Sequence, residues 1–161
     1  MKTVRYLGID PGSRATGYGV IDAQGSKLVY VSSGCVLAKA ATFNGRLKEI
    51  FEGLCEVIEL HQPEQVAIEQ VFVAKNPGSA LKLGQARGVA IAAALGQQLE
   101  IAEYSARTVK KSVVGTGSAT KAQVQHMVSV ILRLSGIPAS DAADALAIAI
   151  CHVNTCANSY G

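Results

Sequence analysis

The sequence predicts an α/β domain, a mixed five-stranded sheet with helices on its faces. Three observations predict it. The first forty residues hold three short apolar runs separated by turn-forming residues. From Thr42 onward the apolar period changes to threes and fours and then alternates with further short apolar runs. The chain has 161 residues, 49% apolar and 17% charged, which is enough for one core and short for two. A single domain over residues 1–157 with a short tail at 158–161 is therefore expected.

Residues 4–9 (VRYLGI) form the first run, closed by Asp10-Pro11-Gly12-Ser13. Residues 17–23 and 27–34 are the next two strands, joined around Ala23-Gln24-Gly25-Ser26 as an antiparallel meander. Phe43, Leu47, Ile50, Leu54 and Ile58 then recur at helical spacing, with Arg46, Lys48, Glu49, Glu52 and Glu56 between them, up to Pro63. Gln65 to Ile68 is a short strand ending in Glu69, and Lys75-Asn76-Pro77-Gly78 reads as a loop. A helix is expected from about Ser79 to Leu95. Its small residues Ala80, Gly84, Gly88 and Ala92 fall at fours and form a narrow ridge, open to two readings: packing onto the sheet, or a subunit interface.

Leu99 to Glu103 is the expected fifth strand, followed by a short helix from Ala106 and a loop at Gly115-Thr116-Gly117-Ser118. Thr120 caps a helix that carries Val124, Val128, Ile131 and Leu134 and stops at Gly136-Ile137-Pro138. Ser140 caps a last helix from Asp141 to about Val153.

Lys and Arg number 15 against 12 Asp and Glu, a net charge of +3. That is compatible with a polyanionic partner without demanding one. The four cysteines show no CxxC spacing, so Cys151-His152-Cys156 is not read as a zinc site. The N-terminus lacks the apolar core of a signal peptide, and a reducing, cytoplasmic location is expected. The apolar stretch GVAIAAALG at 88–96 has about half the length a membrane span needs, so no membrane association is expected.

Four carboxylates stand at element ends. Asp10 closes the first strand and is held extended by Pro11. Glu69 closes a buried strand and has no simple capping role. Asp141 and Asp144, three apart, share one face at a helix start, where helix-dipole complementarity is the plainer explanation. If the four converge, their repulsion calls for cations, and hard oxygen ligands suit Mg²⁺ or Mn²⁺. Two ions about 4 Å apart can activate a water and stabilise the leaving oxygen of a phosphodiester. His126 and His152 are read as surface or packing residues. Arg14, Lys75, Lys82, Arg87, Arg107, Lys110, Lys111 and Lys121 supply local basicity, and all but Arg107 are candidate DNA contacts. Phe72, next to the acidic strand end, is either a wedge that stacks on a base or a core residue.

The segments Gly8-Ile9-Asp10-Pro11-Gly12-Ser13, Ala67-Ile68-Glu69-Gln70-Val71-Phe72, Ser79 to Gly88 and Asp141-Ala142-Ala143-Asp144-Ala145-Leu146-Ala147, with Val113 to Ala119 and Gln123 to Met127, are long and in order. Together they resemble the bacterial RuvC crossover junction endodeoxyribonuclease family over essentially the whole chain. The resemblance implies a ribonuclease H-like fold, with three antiparallel strands and then two parallel ones. It implies a homodimer that acts on a four-way DNA junction, nicking two strands of like polarity, in company with a branch-migration complex. It carries over Asp10, Glu69, Asp141 and Asp144 as metal-binding catalytic acids, with two ions per subunit. Asp10 and Asp144 hold one metal, and Glu69 and Asp141 help to complete the pair. Lys110 and Lys121 match lysines implicated in junction handling and catalysis, and Phe72 matches the aromatic thought to disturb pairing at the crossover. Many members continue with a basic tail, whereas residues 158–161 here carry no basic residue. Two rival classes are an actin-like phosphotransferase, which needs a second domain to enclose nucleotide, and a non-catalytic junction binder, which would tolerate loss of one of the acids.

Overall fold

A computed structural model describes residues 1–70 and 76–159. The strands are β1 (Val4–Asp10), β2 (Ala15–Gln24), β3 (Lys27–Leu37), β4 (Gln65–Glu69) and β5 (Ile101–Tyr104). The helices are α1 (Phe43–His61), α2 (Pro77–Gly96), α3 (Ala106–Val114), α4 (Lys121–Ile131) and α5 (Ser140–Ser159). One sheet runs in the order β3-β2-β1-β4-β5. β1 pairs antiparallel with β2, and β2 with β3, whereas β4 lies parallel to both β1 and β5. The expected mixed sheet of three antiparallel and two parallel strands is present.

Strand alternation divides the sheet between two cores. Leu7, Ile9, Val20, Val66 and Ile68 face α1 and α2, where they meet Ile50, Leu54 and Ile58 of α1 and Ala86, Ala90, Ala93 and Ala94 of α2. Tyr6, Ile21 and Ala67 face the other way, onto Leu146, Ile148 and Ile150 of α5, which α3 and α4 cover with Val109, Val113, Val124 and Val128. Helix α5 is buried almost all round from Ala142 to Val153. Its alanines suit a helix that lies between a sheet and two other helices.

Several boundaries differ from expectation for local reasons. α2 begins at Pro77, not Ser79, because Asn76 accepts from the Gly78 and Ser79 amides and Pro77 is preset for the first helical turn. α4 ends at Ile131, before Leu134, and Arg133 turns the chain with a φ of 53°. α5 starts with Ser140 as its first helical residue and continues past Val153 to Ser159. There Asn154 Nδ2 donates to Ser112 Oγ of α3, and the Thr155 and Ser159 hydroxyls bond to carbonyls one turn back. Thr120 caps α4 as expected, in a reciprocal pair with Gln123.

The small-residue ridge of α2 is a correction to the sheet-packing reading. The buried face of α2 is Ala86, Ala90, Ala93 and Ala94. Gly84, Gly88 and Ala92 are exposed, and a Cβ added at Gly84 or Gly88 would meet nothing within 4 Å. Among the described residues no helix is long and apolar enough to cross a membrane.

Candidate active site

Asp10 and Glu69 end neighbouring parallel strands, one step beyond the paired residues Ile9 and Ile68. Alternation carries their side chains to the α5 face, the face of Gly8 and Ala67. The carboxyl ends of adjacent parallel strands are where open α/β sheets build ligand sites. Asp144, in the first turns of α5, completes the set.

Three glycines let α5 come this close. A Cβ at Gly8 would collide with the Ala145 carbonyl oxygen and stand 2.8 Å from the Ala149 nitrogen. One at Gly17 would meet the Asp141 backbone, and one at Gly19 the Leu146 nitrogen at 2.7 Å. Gly8 is paired with Gly19, and Asp10 with Gly17, so the bare strip lies directly across β1 and β2 under the start of α5. The tight turn after Asp10 is closed by Thr16, fully buried, whose hydroxyl donates to the Gly12 carbonyl at 3.1 Å.

Asp10, Glu69, Asp144, Lys110 and Lys121 line one cavity of about 270 Å³, with Ala106, Val109, Val124 and Ala147 as its apolar floor. Lys121 Nζ stands 3.7 Å from Asp144 Oδ2. Burial pushes the Asp10 carboxyl up to about 7, and the charges of Glu69, Asp144 and Asp141 push the same way against Lys121. Burial, and then Asp144, raise Glu69, while Lys110 and Lys121 oppose. Asp144 is raised mainly by burial, with Lys121 the chief opposing charge. Three acids are thus held in a poorly solvated pocket where burial, which raises all three, outweighs the relief that the two lysines give.

The matching family model, Crossover junction endodeoxyribonuclease RuvC, covers residues 6–152 and so spans every element of this site. The chain belongs to the RuvC family. The RuvC of Pseudoalteromonas atlantica is 59% identical over 149 residues, 92% of this chain and 86% of that protein. A structure of T. thermophilus RuvC in complex with a Holliday junction substrate is 32% identical, with a TM-score of 0.91 over 97% of this chain and 96% of that one. A second Thermus thermophilus RuvC structure has a TM-score of 0.87 over 97% of each chain. The fold is ribonuclease H-like, and the chain is a nuclease of the RuvC type that acts in Holliday junction resolution.

The RuvC motif residues named from sequence are not all in one place. Asp10, Glu69 and Asp144 share the cavity with Lys110 and Lys121. Asp141 is exposed in the first turn of α5, with Cys35 Sγ of β3 3.7 Å from its Oδ2. Arg14 and Lys111 are exposed, at the β1–β2 turn and on α3. Lys82 stands 5.8 Å from the ring centroid of Phe43 in α1, on the sheet's opposite layer. Arg87 of α2 forms an ion pair with Glu103 and donates to the Glu69 carbonyl. Phe72 and Lys75 lie outside the described residues.

Sequence reasoning missed the three glycines, although Gly17 and Gly19 alternate along one strand and Gly8 lies one residue from Ile9-Asp10. It also missed Cys35, for which nothing in the sequence pointed to Asp141. His152 is a buried packing residue as expected: Tyr104 Oη lies 2.6 Å from Nδ1 and Gln65 Oε1 3.0 Å from Nε2. Burial lowers its pKa.

Proposed function

We propose that this nuclease resolves four-way DNA junctions by paired, symmetric nicks in strands of like polarity, leaving 5′-phosphate and 3′-hydroxyl ends, with Mg²⁺ as cofactor and Mn²⁺ as a substitute. The observation that carries this is the meeting of Asp10, Glu69 and Asp144 in one cavity with Lys110 and Lys121. The junction-bound T. thermophilus relative, alike over nearly the whole chain, supports the choice of substrate. The setting is cytoplasmic DNA recombination and repair, alongside a branch-migration complex.

The donor set fits a hard divalent ion that shares its shell with substrate. Among the described residues no three His, Cys, Asp or Glu side chains are arranged to hold one ion by themselves. Mg²⁺ does not need such a cage, because it is held by one or two carboxylates and completes its octahedron with water and phosphate oxygens. Asp10 and Asp144 would hold one ion, with Glu69 and the outlying Asp141 serving a second. When bound, such ions supply the Lewis acidity and the activated water of phosphodiester hydrolysis. Lys121 and Lys110 orient the scissile phosphate from the rim, and the apolar floor keeps the acids poorly solvated. Lys111 and Arg14 extend the cationic rim along the DNA.

Paired nicks require two sites, and the exposed ridge of α2 suits a second copy of the chain. Gly84 and Gly88 leave open space for another backbone, and Leu81 and Leu95 on the same helix are 70% and 57% exposed.

Labelled four-way and linear duplex DNA, incubated with the protein in Mg²⁺ or EDTA, tests the reading. Symmetric nicks in the junction alone, dependent on Mg²⁺ and ligatable, are expected, and Gly88→Arg should give a monomer that no longer makes paired nicks. Equal cutting of linear duplex would overturn it. Lys121→Ala should slow cleavage by about 10- to 100-fold and reduce the salt slope of junction binding by about one. An unchanged slope would remove Lys121 from the phosphate contacts.

A further inference from the structure

We propose that Arg87 is a positioning residue for the cleavage reaction: from α2 it holds the main chain of Glu69 and so sets where that carboxylate stands in the cavity. This rests on the reading of Glu69 as a site acid.

The two faces of the sheet are used at once. Glu69 sends its carboxylate to the α5 face, into the cavity. Its carbonyl is taken by Arg87 Nε at 3.3 Å, from the helix that packs on the other face. The same guanidinium forms an ion pair with Glu103, whose strand neighbour in register is Ile68, the residue before Glu69. Arg87 thus spans the ends of β4 and β5, where Gln70 donates to the Tyr104 carbonyl at 2.8 Å as the last rung between them. Its side chain is only 19% exposed, so it is a poor candidate for touching phosphate directly. The planar fork of arginine can serve a carboxylate and a carbonyl together, which a lysine ammonium on a flexible stem cannot do in fixed geometry.

The strand end needs such a brace. Glu69 shares its cavity with Asp10 and Asp144 on one sign and Lys110 and Lys121 on the other, so competing charges act on its side chain and its own backbone must fix where it stands. A second-layer hydrogen bond that fixes a ligating carboxylate typically carries about 10- to 100-fold in metal affinity or activity. Because α2 also presents the Gly84 and Gly88 ridge, the brace ties the end of β4 to the helix proposed to meet a second copy of the chain.

The test uses the full chain with Arg87→Gln, Arg87→Lys and, as a reference, Glu69→Gln. Three quantities are measured: hydrogen exchange of the Gln70 amide without metal, junction affinity in EDTA, and kcat and KM on a four-way junction across a Mg²⁺ series. For Arg87→Gln the expected result is exchange about tenfold faster, kcat down by about 10- to 30-fold and a higher half-saturating Mg²⁺ concentration. KM and the affinity in EDTA should stay within about twofold. Arg87→Lys, which keeps the charge beside Glu103, should still lose about fivefold in kcat, and it decides alone if the Gln variant does not fold. Lost affinity in EDTA with kcat intact would make Arg87 a DNA contact and overturn the proposal. So would wild-type exchange and kcat in the Arg87 variants while Glu69→Gln is inactive. Full activity in Glu69→Gln would instead overturn the reading of the site itself.

Discussion

Asp10→Asn is expected to lower junction cleavage by about 10³-fold or more, leave junction affinity in EDTA within about twofold, and make the metal-free protein more stable at pH 8. The first effect follows from losing a carboxylate at the centre of the acid cluster, since several kcal/mol of metal-assisted stabilisation corresponds to about three decades in rate. Affinity survives because docking depends on the cationic rim, which the substitution leaves in place. The stability gain follows from linkage. In the folded chain the Asp10 carboxyl is raised from 3.8 to about 7, so between those values the native state binds more protons than the unfolded one. Stability therefore falls as pH rises through that window. About three pH units at 1.36 kcal/mol each set a ceiling of about 4 kcal/mol, of which solvent relaxation leaves about 2 kcal/mol. Melting curves from pH 4 to 8 in EDTA should show the wild type losing stability with rising pH and Asp10→Asn losing much less. Added Mg²⁺ should restore the wild type more than the variant. Full Mg²⁺-dependent cleavage by Asp10→Asn would remove Asp10 from the chemistry, and parallel melting curves would show that its carboxyl is not under strain.

Gly8→Ala is expected to be the most damaging single-methyl change in the molecule, costing about 3 kcal/mol or more. The added Cβ would run into the Ala145 carbonyl oxygen and lie 2.8 Å from the Ala149 nitrogen. Both are backbone atoms of a buried helix, so no side chain can swing aside, and either β1 or α5 must move. Because Asp10 lies two residues along β1 and Asp144 one residue before Ala145, any such movement also separates the acids. The variant should lose cleavage even under conditions where circular dichroism shows it folded. Gly136→Ala, where a Cβ meets nothing within 4 Å, should shift the urea midpoint by less than about 0.5 kcal/mol in free-energy terms. A Gly8→Ala protein as stable as that control would show that α5 does not depend on the bare strip.

Much of this architecture was legible in one dimension because it depends on local chemistry. Asp10-Pro11-Gly12 ends a strand and turns the chain whatever lies nearby, Thr120 and Gln123 cap α4 through their own side chains, and the α1 stripe of Ile50, Leu54 and Ile58 declares its buried face by spacing. Other features were hidden because they are decided by what arrives from elsewhere. α2 carries two rows of small residues, and the row made conspicuous by its spacing of fours, Gly84 and Gly88, faces outward while Ala86 and Ala90 pack inward. Periodicity cannot choose between two small-residue faces that bury similar area. The pairing of Arg87 with Glu103, sixteen residues on, was hidden for the same reason, since it depends on α2 packing beside β5.

The sequence by itself determined the element order, the strand ends that carry Asp10 and Glu69, the helix start that carries Asp141 and Asp144, and a family resemblance dense enough to imply the chemistry. Tertiary structure alone decided which of those acids share a pocket. Parallel pairing of β1 with β4 puts Asp10 beside Glu69, and the glycine strip admits α5 so that Asp144 enters the cavity, while Asp141, a turn earlier, is exposed and not part of its lining. The physical reason is range. Turns, caps and amphipathic stripes are set by neighbours within about four residues, whereas the distance between residues 10 and 144 depends on how closely two backbones can pack, and that is settled by an absent side chain on a different strand.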